Sequence, residues 1–226
     1  VHRTLDAMNH APTRSTLRLA AALYVVPMFV GPFSMMYVPS KILGADGGSA
    51  AVMERLRAHE LLFRLGVGAD LAIVLAELVL CAVLFELFAP VHGLLARSAV
   101  YARLAMTALQ AANIGLSLAA LHFSREASQV ALGSAALALH GQCVHLWEAC
   151  FALHLALLAP LVWRSGFAPR ALGALLALAA GGYALNGAGA LLVPSCAAVF
   201  AAVVAVTAVV GEVPFVLWLV VARRGR

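Results

Sequence analysis

Several runs of apolar residues exceed the roughly 18 positions that a helix needs to cross a bilayer, and nothing else in the chain constrains its fold as strongly. Such a run must satisfy every backbone N–H and C=O without water, so it enters lipid as a helix. Hydrophobic residues fill 64% of the 226 positions and charged residues only 11%, a balance foreign to a soluble domain of this length. The expected fold is therefore all-α: one polytopic membrane bundle of six transmembrane helices over residues 1–226.

The runs place the spans at about 17–38, 61–88, 99–121, 139–163, 171–192 and 197–221. A polar segment (1–16) precedes the first. A loop at 41–59 with a short amphipathic piece at 51–59 separates the first two. Pro27 and Pro32 fall inside the first span, where neighbouring helices can re-satisfy the backbone. No small-residue cleavage site follows the first run, so no cleaved signal peptide is expected.

Lys and Arg bias the orientation. With the N-terminus inside, Arg3, Arg14, Arg18, Arg97, Arg164, Arg170, Arg223, Arg224 and Arg226 lie on the cytoplasmic side. Lys41, Arg55, Arg57 and Arg125 lie outside, beside Asp46, Glu54 and Glu126. Both termini are thus expected in the cytoplasm, with the protein in a bacterial inner membrane. The net charge of +5 is scattered through short loops rather than gathered on a basic face, which excludes nucleic acid as a partner. The four cysteines sit in or beside apolar segments without metal-ligand spacing and read as packing residues. Gly173, Ala177 and Gly181 form a small-residue ridge on the fifth span, suited to close helix approach and to a homo-oligomer.

Ionisable residues inside spans carry the functional signal, because each charge at mid-membrane costs roughly 2.5–3.5 kcal/mol on the insertion scale. Asp70 and Glu77 are one heptad apart on the second span, and Glu60 pairs with Arg64 at i,i+4 near its start. Arg103, Gln110, Asn113 and Ser117 stripe the third span; Gln142, His145 and Glu148 follow i,i+3 spacing on the fourth. Tyr183 and Asn186 lie on the fifth and Glu212 on the sixth. At about 1.5 Å per residue, Asp70, Glu77, Gln110, Asn113, Glu148 and Glu212 fall within roughly 7 Å of the midplane, and Arg103 is placed to reach Glu77. One shared polar cavity is expected. One arginine cannot neutralise four carboxyls, so some are expected to stay protonated and able to donate.

The stretch HGQCVHLWEACFALH (140–154) holds two histidines on one helical stripe, about 21 Å apart along the axis. That resembles a two-haem ligand helix, but no other span repeats the spacing and no haem-attachment motif exists. A rim metal site from His59, His122 and His140 is a further arrangement to examine. No cofactor or metal is expected. Cys143, Trp147 and Cys150 read as packing, and the Gln142, His145, Glu148 side as the face with acid–base chemistry. A purely structural His145–Glu148 hydrogen bond is the competing reading of that pair.

Three blocks carry a family resemblance. HELLFRLGVGADLAIVLAEL (59–78) presents Glu60, Phe63, Arg64, Gly66 and Asp70. WRSGFAPRALGALLALAAGGY (163–183) presents Arg164, Ser165, Gly166, Pro169, Arg170, Gly173 and Tyr183. VVGEVPFVLWLVV (209–221) presents Gly211, Glu212 and Trp218. Together they resemble the bacterial integral-membrane family called domain of unknown function 4386, across nearly the whole chain. The fourth span departs from that pattern in its wealth of His, Cys and Glu. The resemblance implies a six-helix bundle with a polar interior and no particular reaction.

The residues support an intramembrane enzyme acting by acid–base chemistry on a membrane lipid or other lipophilic, isoprenoid-like molecule, of cyclase or isomerase type. Its candidate catalytic groups are Glu60, Asp70, Glu77, His145, Glu148 and Glu212. Candidate substrate contacts are Arg64, Arg103, Gln110, Asn113, Tyr183, Asn186 and Trp147. A proton- or cation-coupled transporter using the same carboxyls, and a non-catalytic assembly partner, are the alternatives.

Overall fold

The computed structural model describes residues 12–44 and 48–222. Arg3, Asp46, Arg223, Arg224 and Arg226 of the orientation argument lie outside these residues, as does most of the polar N-terminal segment. All regular structure among the described residues is helical. We number the helices α1 (Arg14–Ile42), α2 (Ser49–Ala58), α3 (Glu60–Phe88), α4 (Gly93–Phe123), α5 (Val130–Arg164), α6 (Arg170–Leu192) and α7 (Ala197–Val221). All but α2 belong to segments long and apolar enough to cross a membrane. The protein is a helical membrane bundle.

The six long helices close into a ring. Each packs against its successor, and α7 returns to pack on α1. The α5 helix begins well before position 139, because the Ala-rich stretch ahead of it continues the helix. Its 35 residues are about 52 Å long, more than a hydrocarbon core requires. The surplus turns pack on α2, whose Met53 and Leu56 are fully buried. Arg55 of α2 donates to the carbonyls of Ile42 and Leu43 at 2.8 Å, satisfying the end of α1. Val38, Ile42, Phe63 and Leu121 join α2 in an apolar cap at this end. A larger core around Leu84, Phe88, Leu158, Leu176 and Phe215 fills the remainder.

Two spans are interrupted. Phe33–Tyr37 in α1 forms a wide π turn just after Pro32, which lacks an N–H to donate. Leu185–Gly189 in α6 forms a second one within the sequence LNGAG. There α6 comes so close to α5 that a Cβ on Gly187 would lie 2.6 Å from the Ala149 nitrogen and 2.7 Å from the His145 oxygen. Each π turn carries one buried polar residue, Ser34 and Asn186 respectively.

The expected small-residue ridge on the fifth span does not act as one face. Gly173 is buried against α5, whereas Ala177 and Gly181 are exposed. An i,i+4 row drifts around a 3.6-residue helix, so its ends meet different surroundings. A Cβ on Gly173 would lie 2.7 Å from the Ala159 carbonyl oxygen, and one on Gly181 would meet nothing within 4 Å. Gly173→Ala is therefore expected to destabilise the bundle by about 1–3 kcal/mol, and Gly181→Ala to leave it unchanged. Thermal unfolding of both variants in detergent checks this.

Candidate functional site

The polar residues of the spans do not share one cavity. They divide into three packed groups and one pocket, and the division decides which of them are free to do chemistry.

Arg103 on α4 is the largest fully buried side chain, 1% exposed. Its guanidinium grips Glu77 of α3 through both carboxylate oxygens, with Nη2 to Oε1 at 2.8 Å. Its Nη1 donates to the Tyr24 hydroxyl of α1 at 3.3 Å and lies 2.9 Å from Nε2 of His154 on α5. His154 Nδ1–H donates to the Ala99 carbonyl at 2.8 Å, which leaves Nε2 as the acceptor for the arginine. The guanidinium also sits 4.9 Å from the Tyr24 ring centre and 5.7 Å from that of Phe151. Four helices are joined here with their hydrogen-bonding groups turned on one another. Glu77 and Arg103, taken from the sequence as catalytic and substrate-binding candidates, are committed to this knot.

The second group is Glu148 of α5 and Asn186 of α6. Asn186 Nδ2 donates to the two carboxylate oxygens at 2.8 and 2.7 Å, and His145 Nδ1 lies 3.2 Å from Oε2. The α6 π turn sets this geometry by moving Asn186 inward. In the third group, Tyr183 donates its hydroxyl proton to Glu212 Oε1 at 2.8 Å, tying α6 to α7. An aromatic wall lies along α5 and α6: Phe151 packs against Trp147, Tyr183 and His154 with centroid distances of 5.3, 4.8 and 5.9 Å.

The pocket lies toward the α2 cap, between α1, α3, α4 and α5, with a volume of about 120 Å³. Val38, Ile42, Phe63 and Leu137 form its apolar wall; Ser34, Asp70, Ser117 and His140 form its polar end. A narrower chamber of about 30 Å³ adjoins it, lined by Gln110, Asn113 and Trp147, with Asp70 and His140 on both walls. His140 is clasped to α4: Asn113 Nδ2 donates to the His140 carbonyl at 3.3 Å, and His140 Nδ1 lies 3.3 Å from the Asn113 carbonyl. A carbonyl only accepts, so Nδ1 carries the proton and Nε2 the lone pair. Ser117 Oγ lies 3.2 Å from the same Nδ1.

Glu60 and Arg64 stand apart from all of this. Glu60 binds Arg64 at 2.8 Å and Arg125 at 3.0 Å in a partly exposed rim cluster. Solvent-screened pairs of this kind contribute little, and the cluster lies outside the four groups above.

The 140–154 stretch divides its polar residues between both faces, with Glu148 buried on Asn186. Gln142, assigned to the chemical face, is exposed. The opposite stripe, whose Cys143, Trp147 and Cys150 read as packing, delivers His140 to the pocket, Trp147 to the narrow chamber and His154 to the arginine. His154 was the functional-looking residue whose partner the sequence did not reveal, because its partner is a side chain on α4 and not a second histidine. With Ala99 and Arg103 on its two nitrogens, no ring nitrogen is left for iron. Among the described residues, His59, His122 and His140 do not gather with other donors into a three-ligand metal group.

The family model described as a domain of unknown function, DUF4386, matches residues 19–222. The chain belongs to this family. No curated protein and no solved structure matches it. In this DUF4386 protein the first block splits between the rim (Glu60, Arg64) and the pocket (Gly66, Asp70). The second supplies Gly173 and Tyr183 to the α5–α6 seam and the aromatic wall, and the third supplies Glu212 to Tyr183.

Removing one partner from the arginine knot leaves the other charge buried. Arg103→Gln is expected to destabilise the protein by about 3–5 kcal/mol, and the double change Glu77→Gln with Arg103→Gln to recover part of that loss. Unfolding midpoints of the single and double variants measure both effects.

Proposed function

We propose that this DUF4386 protein is a membrane-embedded enzyme that performs acid–base chemistry on a lipophilic substrate in the Asp70–His140 pocket. The supporting observation is the pocket's two-sided character. An apolar wall suited to a hydrocarbon segment ends at one carboxyl, whose hydrogen-bond partner is the Ser34 hydroxyl, and one imidazole held to α4 through its Nδ1. Asp70 supplies a proton to the substrate atom that gains electron density, and His140 Nε2 removes one elsewhere. Transfer from His140 back to Asp70 resets the site. Buried polar donors hold such groups in position without help from water.

Relative to the wider set of residues read from the sequence, this assignment is narrower. Glu77, Glu148 and Glu212 become positioning groups that fix α3, α5, α6 and α7, and Arg103, Tyr183 and Asn186 become their partners. Glu60 and Arg64 become rim residues. The orientation proposed is both termini cytoplasmic in a bacterial inner membrane. Arg14, Arg18, Arg97, Arg164 and Arg170 fall at one end of the bundle's alternating helices and Lys41, Arg55, Arg57 and Arg125 at the other.

Coupled transport is a second reading, favoured by one feature of the helices. Two spans are broken by π turns that carry buried polar residues, and interrupted helices are how many transporters build ion sites. Purified protein in liposomes, supplied with a lipid extract of the source membrane, separates the two. The enzyme assignment expects conversion of an extract component, lowered about 10²-fold or more by Asp70→Asn or His140→Gln and unaffected by Glu60→Gln. Proton flux that depends on Asp70, without any conversion, assigns transport instead. Full turnover in Asp70→Asn overturns the site.

A further inference from the structure

We infer that the narrow chamber beside Asp70 and His140 is a water site, and that its water is the second reactant of the chemistry proposed above. The protein then adds water to its lipophilic substrate. The inference rests on that assignment of the pocket and goes beyond it by naming the reaction class.

Three buried polar atoms have no hydrogen-bond partner among the described residues: Gln110 Oε1, Asn113 Oδ1 and Trp147 Nε1. All three residues line the same chamber of about 30 Å³. Gln110 and Asn113 are 8% and 5% exposed, so bulk solvent does not satisfy them. One such orphan costs about 1–3 kcal/mol, and three at one spot, from two helices, call for a shared partner. The chamber's volume of about 30 Å³ exceeds the roughly 10–15 Å³ that a cavity needs to hold a water.

The chemistry of the donor set points the same way. Asn113 cannot be turned over, because its Nδ2 already donates to the His140 carbonyl, an acceptor. Its Oδ1 is therefore an unpaired acceptor on a residue that lines the chamber. The indole N–H of Trp147 only donates. A water accepts from Trp147, gives its two protons to acceptors drawn from Gln110, Asn113 and His140 Nε2, and keeps one lone pair. The aliphatic end of a substrate offers none of this, and a metal cation is repelled by the indole N–H.

The step balances with water alone. The water oxygen bonds to an electrophilic carbon of a lipophilic epoxide or ester as a carbon–oxygen bond of that group breaks. His140 Nε2 takes the water proton, and the Asp70 carboxyl gives its proton to the departing oxygen. The imidazolium then returns a proton to the Asp70 carboxylate. One water is consumed, nothing is oxidised or reduced, and the site is restored. Gln110, Asn113 and Trp147 act as positioning residues.

X-ray radiolytic labelling of the full chain in lipid nanodiscs detects a resident water directly, since hydroxyl radicals form where water is held. Trp147 is expected to be oxidised several-fold faster than Trp218, an indole stacked between Phe167 and Phe215. Gln110→Leu is expected to remove most of that excess, and Asn113→Leu provides a second variant should the first misfold. Equal labelling of Trp147 and Trp218 overturns the water site, even where Asp70-dependent turnover persists. The liposome conversion, repeated in oxygen-18 water, is expected to put one solvent oxygen into the product. A product with unchanged oxygen content overturns the water as reactant while leaving the acid–base pair in place.

Discussion

The buried guanidinium of Arg103 is the interaction on which the rest of the bundle depends. A membrane helix gains little from burying one apolar surface against another, since lipid tails are equally apolar, so register must come from close packing and polar contacts. Arg103 supplies the polar contact for four helices at once, through Tyr24, Glu77, His154 and the ring of Phe151. A buried ion pair is weak evidence for stability, because an apolar replacement is often as good. Its consequence here is geometric. Once His154 is fixed to Arg103 and Ala99, the rotation of α5 is fixed too. His140, fourteen residues earlier on the same stripe and about 21 Å away along the axis, is then held toward α4 and the pocket.

That arrangement separates the polar groups bound across helices from those that line the pocket. Glu77, Glu148 and Glu212 each have a dedicated partner, respectively Arg103, Asn186 and Tyr183. Asp70, hydrogen-bonded to Ser34, faces a pocket, and Gln110, Asn113 and Trp147, each with one orphaned atom, line the chamber next to it. The α1 π turn contributes Ser34 to the pocket wall, so the helix break after Pro32 helps shape the cavity. The second break, in α6, serves the opposite purpose by locking Asn186 onto Glu148.

The fold was legible because hydropathy over long windows reports a single physical demand, backbone satisfaction in lipid, and all six spans answer it. The Arg103–Glu77 pair was legible as well, since depth along two neighbouring spans follows from counting residues. What counting could not supply was rotation. The two faces of the 140–154 helix differ by half a turn, and the sequence reading favoured the one with more acid. Gln142 of that face is exposed while Glu148 is buried on Asn186, and His140 and His154 of the other face turn toward α4. Common depth was likewise taken for a common cavity, whereas side chains at one level can face different neighbours around a ring. The π turns left only faint traces, Pro32 and the run NGAG, and they determine where Ser34 and Asn186 point.

The central claim is that the Asp70–His140 pocket receives a hydrocarbon segment while the arginine knot stays closed. Photolabelling in native-like membranes with an alkyl-diazirine lipid, followed by peptide mass spectrometry, tests it most directly. Adducts are expected on the pocket walls, at Val38, Phe63 and Leu137, and decline when the wall is filled by Gly66→Leu, since a Cβ there already meets Val38 at 3.2 Å. Adducts confined to the exposed outer residues of α7, such as Val206 and Val209, with none on the pocket walls, would contradict it.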